Sequence, residues 1–97
     1  MIYHVVKLTD WQKAVALGFY EAPSLLSEGF IHASKKEQVE GVIKRYYENE
    51  KDLLVLHIDE GKLQAVHIFE RAHSVNEEFP HIYGRINLDA VVEVTEW

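Results

Sequence analysis

Leu53-Leu54-Val55-Leu56-His57-Ile58 is an unbroken, β-favouring apolar run between the polar cluster Glu48-Asn49-Glu50-Lys51-Asp52 and the turn Asp59-Glu60-Gly61. It is strand length and too short for an ordinary helix, and a run without polar alternation suits a strand covered on both faces. We read it as a central strand, for which the rest of the chain must supply neighbours and covers. Ile2 to Lys7 provides one neighbour: alternation puts Ile2, His4 and Val6 on one face and Tyr3, Val5 and Lys7 on the other. Residues 65–69 and 90–95 are further strand candidates, and residues 71–80 read as a loop.

Two helices fill the gaps. Thr9-Asp10-Trp11-Gln12 has the capping-box form and Gly18 offers a left-handed stop, which predicts a helix over residues 10–17. Pro23 and Ser24 interrupt regular structure. Ser27-Glu28-Gly29 then turns the chain into a brief extended segment, Phe30-Ile31, that runs into His32-Ala33-Ser34. Ser34-Lys35-Lys36-Glu37 is a second capping box, after which Val39, Val42, Ile43, Tyr46 and Tyr47 recur at helical spacing to about residue 48. Strands and helices together predict an α+β fold.

A chain of 97 residues with 47% hydrophobic content and no Pro-, Ser- or Gly-rich break suits a single domain, 1–97, with one core. Ten basic against sixteen acidic side chains give a net charge of -6, which opposes binding to nucleic acid but leaves room for a small phosphorylated ligand held by a few local groups. The absence of cysteine removes disulfides, Cys-ligated zinc and thiol nucleophiles together. The opening Met1-Ile2-Tyr3-His4-Val5-Val6 has neither a basic n-region nor a long apolar run, so no signal peptide or membrane span is drawn and the cytoplasm is expected. Oligomeric state is not read from these features.

Two short histidine motifs carry the polar chemistry, His32-x-Ser34 and His81-x-Tyr83. In extended backbone, residues two apart point to the same side with Cα atoms about 6.6 Å apart, so one ligand can touch both. Ser34 also suits a helix cap, and capping alone accounts for a hydroxyl there. The segment Phe79-Pro80-His81-Ile82-Tyr83-Gly84-Arg85 packs polar aromatics, a permissive glycine and a cation together, although each residue singly also fits a structural role.

The remaining candidates are weaker. His4 among β-branched neighbours suits a satisfied core residue, and His57, His67 and His73 are read as structural or solvent-facing. Glu70 at the end of a strand beside Arg71 is either a solvated end or a carboxylate entering a cleft. No His-x-x-x-His spacing supports a metal, and Ser34 lacks the Gly-x-Ser-x-Gly elbow of a nucleophilic serine.

With Ile2-Tyr3-His4, residues 27–34, Gln38-Val39, Phe69-Glu70 and residues 79–84 as the matching segments, the whole chain resembles the bacterial domain-of-unknown-function family catalogued as nine-five-two. That family is grouped by distant similarity with the ADP-ribosyltransferase-like fold, in which a split, mostly antiparallel β-sheet holds NAD in a cleft and cleaves its nicotinamide–ribose bond. The resemblance implies that fold, and NAD or a related nucleotide as a small-molecule ligand and substrate.

The resemblance also implies roles. His4 looks like the first-strand residue that meets the nicotinamide ribose, and His32 and Ser34 look like the second-strand pair, so these three are the ligand-binding candidates. Glu70, His81 and Tyr83 stand where the transferases place a catalytic acidic or polar residue. In the enzyme reading, cleavage is dissociative: His4 and Ser34 hold the ribose, Tyr83 or His32 orients the base, and Glu70 stabilises positive charge developing on the ribose. In the alternative, the same cleft belongs to a non-catalytic module that binds a small ligand or partner.

Overall fold

The protein's structure, a computed structural model, describes residues 1–71 and 76–97. Strand β4, Leu53–Ile58, is the central strand of the first ladder, hydrogen-bonded antiparallel to β1 (Ile2–Lys7) on one side and β8 (Val91–Glu96) on the other. Period-two geometry explains why its apolar run is continuous. Leu54, Leu56 and Ile58 face one way with Ile2 and Val6, while Leu53 and Val55 face the other with Val5. Both faces are covered.

The second face meets α3, Val39–Tyr46, through Val39 and Ile43. The first face meets the other ladders: β3 (Ile31–His32), β6 (Glu78–Tyr83) and β5 (Val66–Arg71) pair antiparallel in the order β3-β6-β5, and β2 (Phe19–Tyr20) pairs with β7 (Ile86–Asn87). Ile31, Ile82 and Ile86 are fully buried there against Leu56 and Ile58. The result is one compact α+β body, with a Cα radius of gyration of 12.4 Å, whose described strand pairs are all antiparallel and divided among three ladders. Among the described residues, no helix is long and apolar enough to cross a membrane.

An isolated backbone bridge stitches the ladders of β4 and β6 together. Ser34 forms an antiparallel bridge with Tyr3, its N–H donating to the Tyr3 carbonyl at 2.7 Å and its own carbonyl accepting from Tyr3 at 2.8 Å. This corrects the reading of Ser34 as a helix cap. Its backbone is committed to β1, and helical structure starts one residue later, where Gln38 Oε1 accepts the Lys35 N–H at 2.9 Å. Gln38 Nε2 donates onward to the Glu78 carbonyl, also at 2.9 Å, so one buried amide anchors both the helix entry and β6.

Other elements depart from expectation for local reasons. Helix α1 spans Leu8–Leu17, two residues earlier than read, and the Thr9 capping box is not used: the Leu8 N–H donates instead to the Asp52 carbonyl at 2.9 Å. Its expected stop holds, with Gly18 at φ 92°. Among the described residues three α-helices are present rather than two, because Pro23 starts α2 (Pro23–Ser27) instead of merely breaking structure. A proline in the first turn sacrifices an N–H that has no helical partner anyway.

The loop read over residues 71–80 is also partly replaced: β5 runs through Arg71 and β6 begins at Glu78. Pro80 lies inside β6 between two partners, where its carbonyl still accepts from Ala33 at 3.0 Å. The polar-loop reading of His73 lies outside the described residues.

Candidate functional site

Register decides which side chains meet. In the β3–β6 pairing, His32 sits directly opposite His81 and Ile31 opposite Ile82. Alternation therefore sends the two isoleucines into the core and both histidines to the other face. Phe30, two residues before His32, shares that face, as does Tyr83, two after His81. The imidazoles of His32 and His81 lie edge to face with centroids 5.5 Å apart, and the Phe30 ring stacks on His81 at 4.1 Å and 18°.

On the outer strand, Glu70 pairs with Phe79 and so projects onto the same face. Its Oε1 accepts hydrogen bonds from His81 Nδ1, at 2.8 Å, and from the Tyr83 hydroxyl. An ionised carboxylate can only accept, so Nδ1 of His81 carries a proton and Nε2 is left to act outside the pair. The Tyr83 hydroxyl first and His81 second hold Glu70 below the usual carboxylate range, while Glu70 raises the Tyr83 phenol. His32 forms a second pair of the same kind, Nε2 to Glu28 Oε2 at 3.0 Å, with both side chains about half exposed.

His4 plays a different part. Its Nδ1 is 2.6 Å from the His32 carbonyl, which can only accept, so Nδ1 is protonated. Nε2 then accepts from the Tyr20 hydroxyl at 2.9 Å. Burial pushes His4 down to about 4 and raises Tyr20, so the imidazole stays neutral and the phenol keeps the proton it donates. Both nitrogens of His4 are engaged within the chain, and its contact with the site is to the backbone of β3.

His4, His32, Ser34, Glu70, His81 and Tyr83 all line one concave cavity of about 880 Å³, the volume of a drug-sized or nucleotide-sized pocket. Lys7, Arg45 and Arg71 add positive charge to its walls. Of the histidines set aside, His57 bonds Thr95 Oγ1 at 2.9 Å and His67 meets Glu60 at 3.2 Å, and neither lines the cavity. Among the described residues, no group of three or more His, Asp or Glu side chains is placed to hold a metal ion.

Sequence reasoning did not single out Phe30, Glu28 or Tyr20. Two signals were available: Phe30 precedes His32 by two residues on an extended segment, and Glu28 precedes it by four across Gly29. Tyr20 had none, because its meeting with His4 depends on how β2 packs beside β1.

Fold and site together define a small α+β protein in which three antiparallel ladders enclose a histidine-lined cavity. The chain matches the family described as "Protein of unknown function (DUF952)" over residues 5–94, and it belongs to that family. It is similar to protein CC0527 from Caulobacter crescentus: the crystal structure of that protein is 25% identical with a TM-score of 0.88, and the match covers 98% of this chain and 83% of the other. The solution NMR structure of the same protein gives 24% identity and a TM-score of 0.79, over 98% and 82% of the two chains. A search of curated proteins finds no match.

Proposed function

We propose that the cavity binds NAD or a related nucleotide, as in the ADP-ribosyltransferase-like proteins that the sequence resembles. The observation that carries this reading is the common wall: six residues from four separate strands and strand ends border one space of nucleotide size. Arg45 and Lys7 can neutralise phosphate, the Phe30, His32 and Tyr83 rings offer stacking surface, and the Ser34 hydroxyl can meet a ribose.

Glu70 is the residue suited to chemistry on such a ligand. Both its hydrogen bonds fall on Oε1, so Oε2 remains for a substrate, and the Tyr83 and His81 donors keep the group anionic. A carboxylate held in that state stabilises positive charge developing on a ribose as a nicotinamide–ribose bond lengthens. His81 and Tyr83 act by orienting Glu70, and His4 by fixing the β3 backbone from which His32 projects.

Isothermal calorimetry and ligand-observed NMR with NAD, ADP-ribose and nicotinamide test the reading. Saturable binding of NAD or ADP-ribose, lost in His32→Ala without loss of folding, is expected. No binding at millimolar ligand overturns it. Binding with no release of nicotinamide assigns the cavity to a binding module instead of an enzyme.

A further inference from the structure

The site holds two histidine–carboxylate pairs face to face, where dissociative cleavage of a glycosidic bond uses only one carboxylate. His81 gives Nδ1 to Glu70 and keeps Nε2, while His32 gives Nε2 to Glu28 and keeps Nδ1. Each carboxylate fixes which nitrogen bears the proton and so which nitrogen can exchange one with a ligand. With ring centroids 5.5 Å apart and both rings bordering the cavity, a single tetrahedral group beside the two imidazoles can touch both. His81 is nearly buried and His32 half exposed, and both border the cavity.

Two oriented imidazoles suit a reaction that must take a proton from an attacking oxygen and give one to a leaving oxygen in the same displacement. Phosphodiester hydrolysis has that demand, and on the cavity walls Lys7, Arg45 and Arg71 offset the carboxylates of Asp10, Glu28 and Glu70, with the Ser34 and Tyr83 hydroxyls each two residues beyond a histidine. The net charge of -6 disfavours a nucleic-acid polymer and leaves a small ester. We infer that His32 and His81 form an acid–base pair that hydrolyses a small cyclic phosphodiester, of which a nucleoside 2′,3′-cyclic phosphate is the type. The inference deepens the nucleotide reading by assigning the same cavity a second chemistry.

The step balances with water alone. A water oxygen forms a bond to phosphorus while its proton passes to the exchangeable nitrogen of one imidazole. The phosphorus–oxygen bond to the ribose breaks, the electron pair stays on that oxygen, and the other imidazole, which enters the step as imidazolium, protonates it from its exchangeable nitrogen. One water is consumed, a phosphate monoester forms, and the two imidazoles recover their starting protonation through solvent.

The experiment incubates the full chain with a nucleoside 2′,3′-cyclic phosphate and follows ring opening by phosphorus NMR. The expected result is turnover with a bell-shaped pH profile, reduced at least about 100-fold in His32→Gln and in His81→Gln. Should the buried His81 variant fail to fold, Glu70→Gln and Glu28→Gln, at exposed carboxylates, decide the matter by losing about tenfold or more. No ring opening by the wild type, or ring opening indifferent to these substitutions, overturns the inference. ADP-ribose binding without ring opening leaves the nucleotide reading standing; ring opening without NAD or ADP-ribose binding does the reverse.

Discussion

The His4 imidazole grips the backbone of the strand that carries His32: Nδ1 donates to the His32 carbonyl at 2.6 Å while Nε2 accepts from the Tyr20 hydroxyl at 2.9 Å. One buried side chain thereby ties β1, β2 and β3 together at the cavity wall. Removing it strands a part-buried carbonyl and a buried hydroxyl at once. His4→Ala is expected to destabilise the fold by about 2–5 kcal/mol, read from urea unfolding. A loss well under 1 kcal/mol would show that water or repacking replaces both bonds.

The same histidine sets an acid limit. Its folded value of about 4 lies below the ordinary 6.5, so between those values the unfolded chain takes up a proton that the folded chain refuses. Stability from this group is therefore intact above the ordinary value, falls as pH drops through the window, and levels off below about 4. The full loss is on the order of 3 kcal/mol. Unfolding free energies measured across that window should fall with pH in the wild type and more gently in His4→Asn, which has no imidazole to titrate.

Glu70 ties His81 to Tyr83 at the rim, and its loss should be felt in the site more than in the fold. Glu70→Gln removes the charge that raises the Tyr83 phenol, so phenolate absorbance attributable to Tyr83, assigned by difference with Tyr83→Phe, is expected at lower pH than in the wild type. The lowered Glu70 value has the same pH sense as His4, in a more acidic window: its contribution is present above the usual carboxylate range and disappears as pH falls through its folded value. An unchanged Tyr83 titration in Glu70→Gln would break the assignment.

Gly84 follows Tyr83 at φ 154°, and a Cβ placed there would meet the Ala65 Cβ at 3.0 Å. Gly84→Ala combines backbone strain with a close contact at the end of the strand that presents His81 and Tyr83. The expected cost is about 1–3 kcal/mol in chemical denaturation. Because the strain is local to β6, ligand binding in the cavity should weaken in the folded variant too.

Leu56 is fully buried at the centre of β4, between His4 on β1 and Val94 on β8. Leu56→Ala opens a cavity where neighbours on two strands cannot close in, and about 2–5 kcal/mol of stability should be lost in thermal or urea unfolding. The exposed Val94, changed to Ala, should cost far less, and equal losses at the two positions would contradict the placement of β4 as the central strand.

The sequence alone determined the elements whose signal is local and repetitive. The run from Leu53 to Ile58 needs no partner to be recognised as a doubly covered strand, the period of residues 39–47 marks an apolar helix face, and Gly18 supplies a left-handed stop wherever α1 lies. The six candidate site residues were likewise legible as types, and period two predicted that His32 and Ser34, and His81 and Tyr83, would each share a face.

Tertiary structure decided everything that depends on a partner from elsewhere in the chain. Thr9 and Ser34 have the chemistry of helix caps, but Asp52 satisfies the Leu8 N–H and Tyr3 claims the Ser34 backbone, because pairing with a neighbouring strand meets the same hydrogen-bonding demand from a distance. Pro80 argues locally against a strand, yet β6 forms around it where neighbouring strands pair on both sides. That His4 engages both nitrogens within the chain, on the His32 carbonyl and the Tyr20 hydroxyl, follows only from how β2 and β3 pack beside β1. The cavity itself follows from register, since a shift of one residue in β3 against β6 would turn His32 into the core in place of Ile31 and away from His81.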